Sequence, residues 1–229
     1  MRAFFAVAAF LALFAPAAAQ NTGPVVDQAQ LMMPGPLGEK AVGDPKAPVT
    51  VIEYASMTCP HCQRFHAETY PAIKAKYIDT GKVYFILREF PLDALAFAAF
   101  MIARCSGDHY FDVIDTLFDH QEEWAFVQNP VDAIITFVQP FGIDDKGFDA
   151  CINNQGIFDH IDYVASRGAD VFGVEGTPTF FFNGKRAVGE LSIDMVDAII
   201  ATFPNSGAAS PPAATPDATG ATGAFTPRQ

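Results

Sequence analysis

Charge is scarce in this chain, and positive charge most of all. Only 17% of its 229 residues are charged, with 14 Lys and Arg against 26 Asp and Glu, for a formal net charge of −12. So acidic a body argues against nucleic acid and against anionic membrane surfaces as partners, because both are held by basic residues. Long uncharged apolar runs are missing after the N-terminus: no later stretch reaches membrane-spanning length without a charge or a proline. Cysteine is sparse at four residues, Cys59, Cys62, Cys105 and Cys151. No second Cys-x-x-Cys accompanies Cys59 and Cys62, so a structural zinc site lacks its other half. A c-type haem attachment is excluded by Gln63, which stands where a histidine is required.

What is present is material for a core. Hydrophobic residues make up 50% of the chain and phenylalanine alone numbers 22, so large apolar surfaces must be packed or offered for contact. The length suits one domain with an insertion. The first residues read as a targeting segment. Arg2 supplies the positive end, Ala3–Phe14 the apolar run, and Ala17-Ala18-Ala19 a small-residue cleavage site. The apolar run ends at Pro16, short for a membrane anchor. Export with cleavage after Ala19 is therefore expected, removing Arg2 and taking the net charge from −12 to −13.

Residues 20–46, rich in proline and glycine, read as an irregular N-terminal arm. Val49-Thr50-Val51-Ile52-Glu53-Tyr54 reads as a buried strand over about 49–55. A helix over about 60–78 follows, which Pro71 should kink or break. Val83–Leu87 is a continuous apolar run suited to a strand buried on both faces, and strand–helix–strand implies parallel pairing. From 92 to 173 the pattern is all helical, with segments at Leu92–Cys105, from Asp108, at Val131–Val138 behind Pro130, at Asp144–Ile152 and at Phe158–Val171. The α/β framework then resumes over 174–203. Thr179–Phe182 and Lys185–Val188 flank Asn183-Gly184, a strong hairpin signal, and Ser192 caps a last helix, Ile193–Phe203. Residues 204–229 have the composition of a disordered tail.

Cys59-Pro60-His61-Cys62 lies between that first strand and the helix. The order places Cys59 at a helix N-terminus, where unpaired N–H groups and the dipole favour a thiolate. A thiolate attacks disulfides; a thiol does not. An imidazole beside Cys59 could donate to the thiolate or sit beside it as a cation, which would stabilise the reduced pair and make its disulfide the stronger oxidant. An even cysteine count in an exported protein suggests two disulfides. The close spacing of Cys59 and Cys62 pairs them, which leaves Cys105 with Cys151; two free buried thiols are the alternative. Cys59, Cys62 and His66 could in principle bind a soft metal, but a helix-face histidine is the expected role of His66.

The Cys-Pro-His-Cys turn after an apolar strand, the inserted helical block, and Gly176-Thr177-Pro178-Thr179-Phe180 ahead of a hairpin together resemble the DsbA family of thiol:disulfide oxidoreductases over about residues 47–203. The resemblance implies a thioredoxin fold, built from 47–91 and 174–203, with an inserted all-helical domain at 92–173. It implies a periplasmic setting and catalysis at Cys59 and Cys62, tuned by Pro60 and His61. It also implies a cis Thr177-Pro178 bond whose loop lies against the cysteines and pairs with substrate backbone; Pro178 alone would read only as the start of an edge strand. Glu53 would match a buried acid that moves protons to and from Cys62, where residue type alone permits a solvent-facing carboxylate. A partner lysine for that acid is not evident, Lys82 and Arg88 being only loosely placed. The Cys105–Cys151 bridge is similar to one in alphaproteobacterial members. The partners so implied are unfolded exported proteins with reduced cysteines and a DsbB-type membrane oxidase, acting on a monomer with no cofactor and no metal. A disulfide isomerase or reductase on the same fold is the nearest alternative. A metal-binding or chaperone-like module without turnover is the other.

Overall fold

The computed structural model describes residues 22–204. The expected signal segment 1–19 and the tail from 205 onward lie outside the described residues. In chain order the strands are β1 (Thr22–Val25), β2 (Lys40–Val42), β3 (Val49–Ala55), β4 (Val83–Glu89), β5 (Thr179–Phe182) and β6 (Lys185–Val188). Among the described residues they form one sheet in the order β1-β6-β5-β3-β4-β2. Only β3 and β4 pair in parallel; the other neighbours are antiparallel.

Strand alternation divides the sheet into two faces. Ile52, Tyr54, Ile86 and Phe181 pack on one side with Leu31, Val164 and Phe172. Val51, Ala55, Phe85, Leu87, Phe180 and Phe182 face the other, larger core with Cys59, Cys62 and Phe65. The Asn183-Gly184 hairpin forms as its residues demand, with φ of 45° and 84°, the left-handed pair that matches strand twist.

The helices are α1 (Gln28–Leu31), α2 (residues 60–78), α3 (Ala94–Cys105), α4 (Tyr110–Asp119), α5 (Gln121–Trp124), α6 (Pro130–Val138), α7 (Asp145–Ile152), α8 (Gln155–Phe172) and α9 (Ile193–Ile200). Side-chain caps start several of them: Asp93 accepts from the N–H of Ala96 at 2.8 Å, and Asp144 from that of Gly147 at 2.8 Å. The all-helical block expected between the two halves of the α/β framework is present as α3–α8. The last of these, α8, lies on the smaller core. A Cβ on Gly168 would stand 2.7 Å from Tyr54 Cε1, so only glycine permits that approach.

Of the kink or break expected at Pro71 the break does not occur, and a second expectation is corrected. The helix widens into π turns at Phe65–Thr69 and Lys74–Ile78, and the N–H of Tyr70 bonds five residues back to Phe65. Pro71 thus sits in the turn after a wide one, where its missing N–H is accommodated. Nor is the stretch 20–46 an irregular arm, since it contributes β1, α1 and β2. Its proline-rich middle is held by buried side chains of the body. Arg88 donates to the Leu31 carbonyl (2.7 Å), to Glu39 (2.6 Å) and to the Tyr54 hydroxyl (2.8 Å). His160 accepts from the N–H of Leu37 at 2.9 Å.

Behind these contacts Glu89, wholly buried, takes two bonds from Arg104 (2.6 and 3.1 Å) and one from the Tyr110 hydroxyl (2.9 Å). Burial would raise the Glu89 pKa, but the Arg104 charge and hydrogen bonds hold it below the usual carboxylate value.

Candidate active site

The site is built where β3 runs out. The N–H of Cys59 bonds the Ser56 carbonyl at 3.1 Å, closing a turn. The hydroxyl of Ser56 accepts from the N–H of Leu92 (3.2 Å), and that of Thr58 donates to Asp93 (2.6 Å), tying the turn to the start of α3. Cys59 is the N-cap of α2, with Pro60 at the first helical position, where a missing N–H is not felt. Both cysteines are buried and unbridged.

Their protonation preferences are driven apart. The Cys59 thiol falls from 9.0 to about 5. The largest cause is a hydrogen bond from the Cys62 thiol, opposed by burial. The Thr177 side chain and the backbone N–H groups of Cys62 and His61 add to the lowering. The Thr177 hydroxyl is buried with no hydrogen-bond partner among the described residues, so it is available to a thiolate. Cys62 moves the opposite way, well above the ordinary value. Burial is the first cause, followed by its bond to Cys59 and the negative charges of Glu53 and Cys59. One sulfur is thus suited to attack and to leave as an anion, the other to hold a proton.

Thr177-Pro178 is a cis bond. It brings the Thr177 carbonyl, 118 residues along the chain, to 3.3 Å from Cys59 Sγ, which donates to it as a thiol. Beside this contact opens a cleft of about 480 Å3 between His61, Thr177 and the loop 189–192, with Thr69 and Met195 behind. His61 differs from the expectation of an imidazole on the thiolate. Its Nδ1 lies 2.7 Å from Arg64 Nη2 and 3.1 Å from Glu190 Oε2, and Arg64 Nε also donates to Glu190 at 3.0 Å. What reaches Cys59 from His61 is its backbone N–H.

Glu53 shares a strand face with Val51 and Ala55, which turns it into the larger core beneath α2, where it is 0% exposed. Its partner is His66, four residues after Cys62, whose Nε2 lies 2.9 Å from Glu53 Oε2. Neither basic residue weighed for this role provides the contact. Arg88 is bonded to Glu39 and Tyr54 on the opposite face. Lys82 precedes Val83, which pairs with Val49 at the far end of β3. The spacing Cys62–His66 is one helical turn, the one signal that could have placed His66 near the inner sulfur. Gln121 was not singled out by any motif. Its amide donates to the carbonyls of Met57 (2.8 Å) and Cys59 (3.1 Å). Cys105 and Cys151 are bridged, with S–S 2.00 Å, and join α3 to α7. Among the described residues no group of three His, Cys, Asp or Glu side chains could hold a metal ion.

Residues 37–202 match the thioredoxin family model described as "Thioredoxin". A Rickettsia conorii chain named as a protein-disulfide oxidoreductase is 29% identical over 191 residues, 81% of this chain and 67% of its own length. One from Rickettsia felis is 30% identical over 164 residues, 71% of this chain and 59% of its own. Across the Rickettsia relatives the chain spans 54% to 67% of their length. Among solved structures, alpha-DsbA1 of Wolbachia pipientis superposes with a TM-score of 0.71 at 31% identity, over 77% of this chain and 96% of that one.

Proposed function

The chain belongs to the DsbA family of thioredoxin-fold thiol:disulfide oxidoreductases, and on that footing we propose that it donates its Cys59–Cys62 disulfide to exported proteins in the periplasm. The observation that carries the direction is the split between the two thiols, Cys59 at about 5 and Cys62 well above the ordinary value. A stable Cys59 thiolate favours the reduced pair, and a pair that favours reduction oxidises others.

A substrate thiolate attacks Cys59 Sγ. The Cys59–Cys62 bond breaks and its electron pair goes to Cys62, which takes up a proton. A second substrate thiolate then attacks the substrate sulfur of the mixed disulfide, and Cys59 leaves as a thiolate. The substrate loses two electrons and the pair gains them. The Thr177 carbonyl, released when Cys59 ionises, is placed to accept from an extended substrate backbone in the cleft. Glu53 supplies the Cys62 proton and receives it back on reoxidation. The apolar leader with its small-residue cleavage site supports export, and a DsbB-type membrane oxidase would return the pair to the disulfide.

The test is oxidation of a reduced, unfolded disulfide protein by residues 20–229. A Cys59→Ser variant should be inactive; Cys62→Ser, which has no disulfide to donate, should also fail to oxidise the client, but offered an oxidised client its Cys59 thiolate should displace one client sulfur and stop at the mixed disulfide. Full activity of Cys59→Ser would overturn the reading.

A further inference from the structure

Glu53 and His66 make one hydrogen bond to each other and leave one buried polar atom each unused. Their side chains are 0% and 5% exposed. Glu53 Oε1 and His66 Nδ1 have no hydrogen-bond partner among the described residues. An unmade buried hydrogen bond costs about 1–3 kcal/mol, and such groups call for a reason.

The surroundings point in two directions. Inward, the Glu53 charge is one of the causes that raise Cys62. Outward, His66 lines a cleft of about 200 Å3 with Tyr70, Lys74, Asp115 and Asp119, polar and roomy enough for several waters. Asp115 is raised by burial and lowered in turn by the charge of His66, so the two interact. The histidine ring is held in place by stacking on Phe118, with centroids 4.4 Å apart at 24°. It sits within the wide turn Phe65–Thr69, a distortion frequent at functional sites. This cleft shares no lining residue with the cleft beside Cys59.

We propose that His66 is the outer link of a proton route, from Cys62 through Glu53 and His66 to water at Asp115, that opens on a different face from the substrate cleft. The inference rests on the exchange reaction proposed above and deepens it. In the mixed disulfide a substrate chain covers Cys59, while Cys62, newly released as a thiolate, needs a proton. Glu53 gives its proton to Cys62, His66 passes one to Glu53, and water in the side cleft restores His66. On reoxidation Cys62 must lose that proton before attacking, and the same groups carry it outward. The titratable and charged groups facing this route are Cys62 and Tyr70 on α2, Glu53 on β3, Asp115 and Asp119 on α4, and Lys74.

The test follows reduction of the Cys59–Cys62 disulfide by dithiothreitol, and its reformation by oxidised glutathione, against pH. His66→Phe keeps a ring on Phe118 but carries no proton. It should slow both directions on the order of 10²-fold, within the range of general acid–base catalysis, and change the pH profile. His66→Ala should be slow too, and added imidazole should restore its rate in proportion to concentration by entering the vacated cleft. Wild-type rates in both variants overturn the route, as does a slow His66→Ala that imidazole does not lift. If the His66 variants fail to fold, Glu53→Gln decides: it keeps the shape of the pair, and wild-type rates in it overturn the route. Failure of the wild-type chain to exchange at all would instead sink the proposed function.

Discussion

Gln121, 62 residues along the chain from Cys59, donates its side-chain amide to the Cys59 carbonyl at 3.1 Å and to the Met57 carbonyl at 2.8 Å. The Cys59 carbonyl also accepts from the N–H of Gln63 at 3.1 Å, so it is the Met57 carbonyl that depends on this amide. Gln121→Met, similar in length but without the donor, leaves the Met57 carbonyl unpaired at a cost of about 1–3 kcal/mol. Urea unfolding of the oxidised protein would measure it, and an unchanged midpoint would show that water replaces the amide.

The reduced protein should gain stability with rising pH through Cys59. Its folded value of about 5 lies below the ordinary 9.0, so the folded state binds the proton less tightly than the unfolded chain. The contribution is absent below about pH 5, grows by ~1.4 kcal/mol per pH unit between the two values, and is complete above about 9. At pH 7 it amounts to ~3 kcal/mol. The unfolding free energy of the reduced wild type minus that of reduced Cys59→Ser, measured from pH 5 to 8, should rise along this slope. A flat difference would rule out a depressed Cys59.

The Cys105–Cys151 bridge closes a separation of 46 residues, which the chain-entropy model values at about 4 kcal/mol. It joins α3 and α7 and makes no part of the Cys59–Cys62 turn. The double variant C105A/C151A should therefore unfold at lower urea by roughly that free energy, while its rate of exchange with dithiothreitol stays that of the wild type. A matching loss of rate would show that the helical block positions the cysteines through this bridge.

Arg104→Met should be costly at neutral pH. It strands the wholly buried Glu89 carboxylate and removes the partner that holds its pKa down, a loss of about 3–5 kcal/mol. Without the guanidinium, the largest cause that opposes burial is gone, and burial then favours the protonated form of Glu89. The destabilisation should therefore shrink as pH falls, because the wild type loses its paired carboxylate while the variant is relieved of a stranded one. Thermal unfolding of both proteins at pH 4 and pH 7 distinguishes this from a packing defect, which would be equal at the two.

What could be read from the residues was set by local chemistry. Asn183-Gly184 supplies two left-handed positions in succession, and the hairpin follows wherever those residues lie between strands. Pro60 and the strand before it place Cys59 at a helix start. What could not be read depends on partners far along the chain. Strands β1 and β2 lie in a stretch of proline and glycine and are strands only because Val25 meets Lys185 and Ala41 meets Ile86. The His61 ring is held by Arg64, three residues on, and by Glu190, 129 residues on, and no spacing near the turn reveals the second. His66 lay in view four residues after Cys62, yet its partner Glu53 belongs to the strand before, and only the packing of α2 on β3 joins them.

The sheet is closed at both ends by the chain's own first strands, β1 along β6 and β2 along β4. An unprotected strand edge is a template for any extended chain that passes, and under the proposed function unfolded clients are such chains. With β6 and β4 already occupied, and with capping strands only four and three residues long, a client finds few backbone positions to pair with beyond the Thr177 loop. In the exchange proposed above the client is then held by the sulfur–sulfur bond and by the cleft beside Cys59, and resolving that bond removes the covalent tie, so departure follows the chemistry.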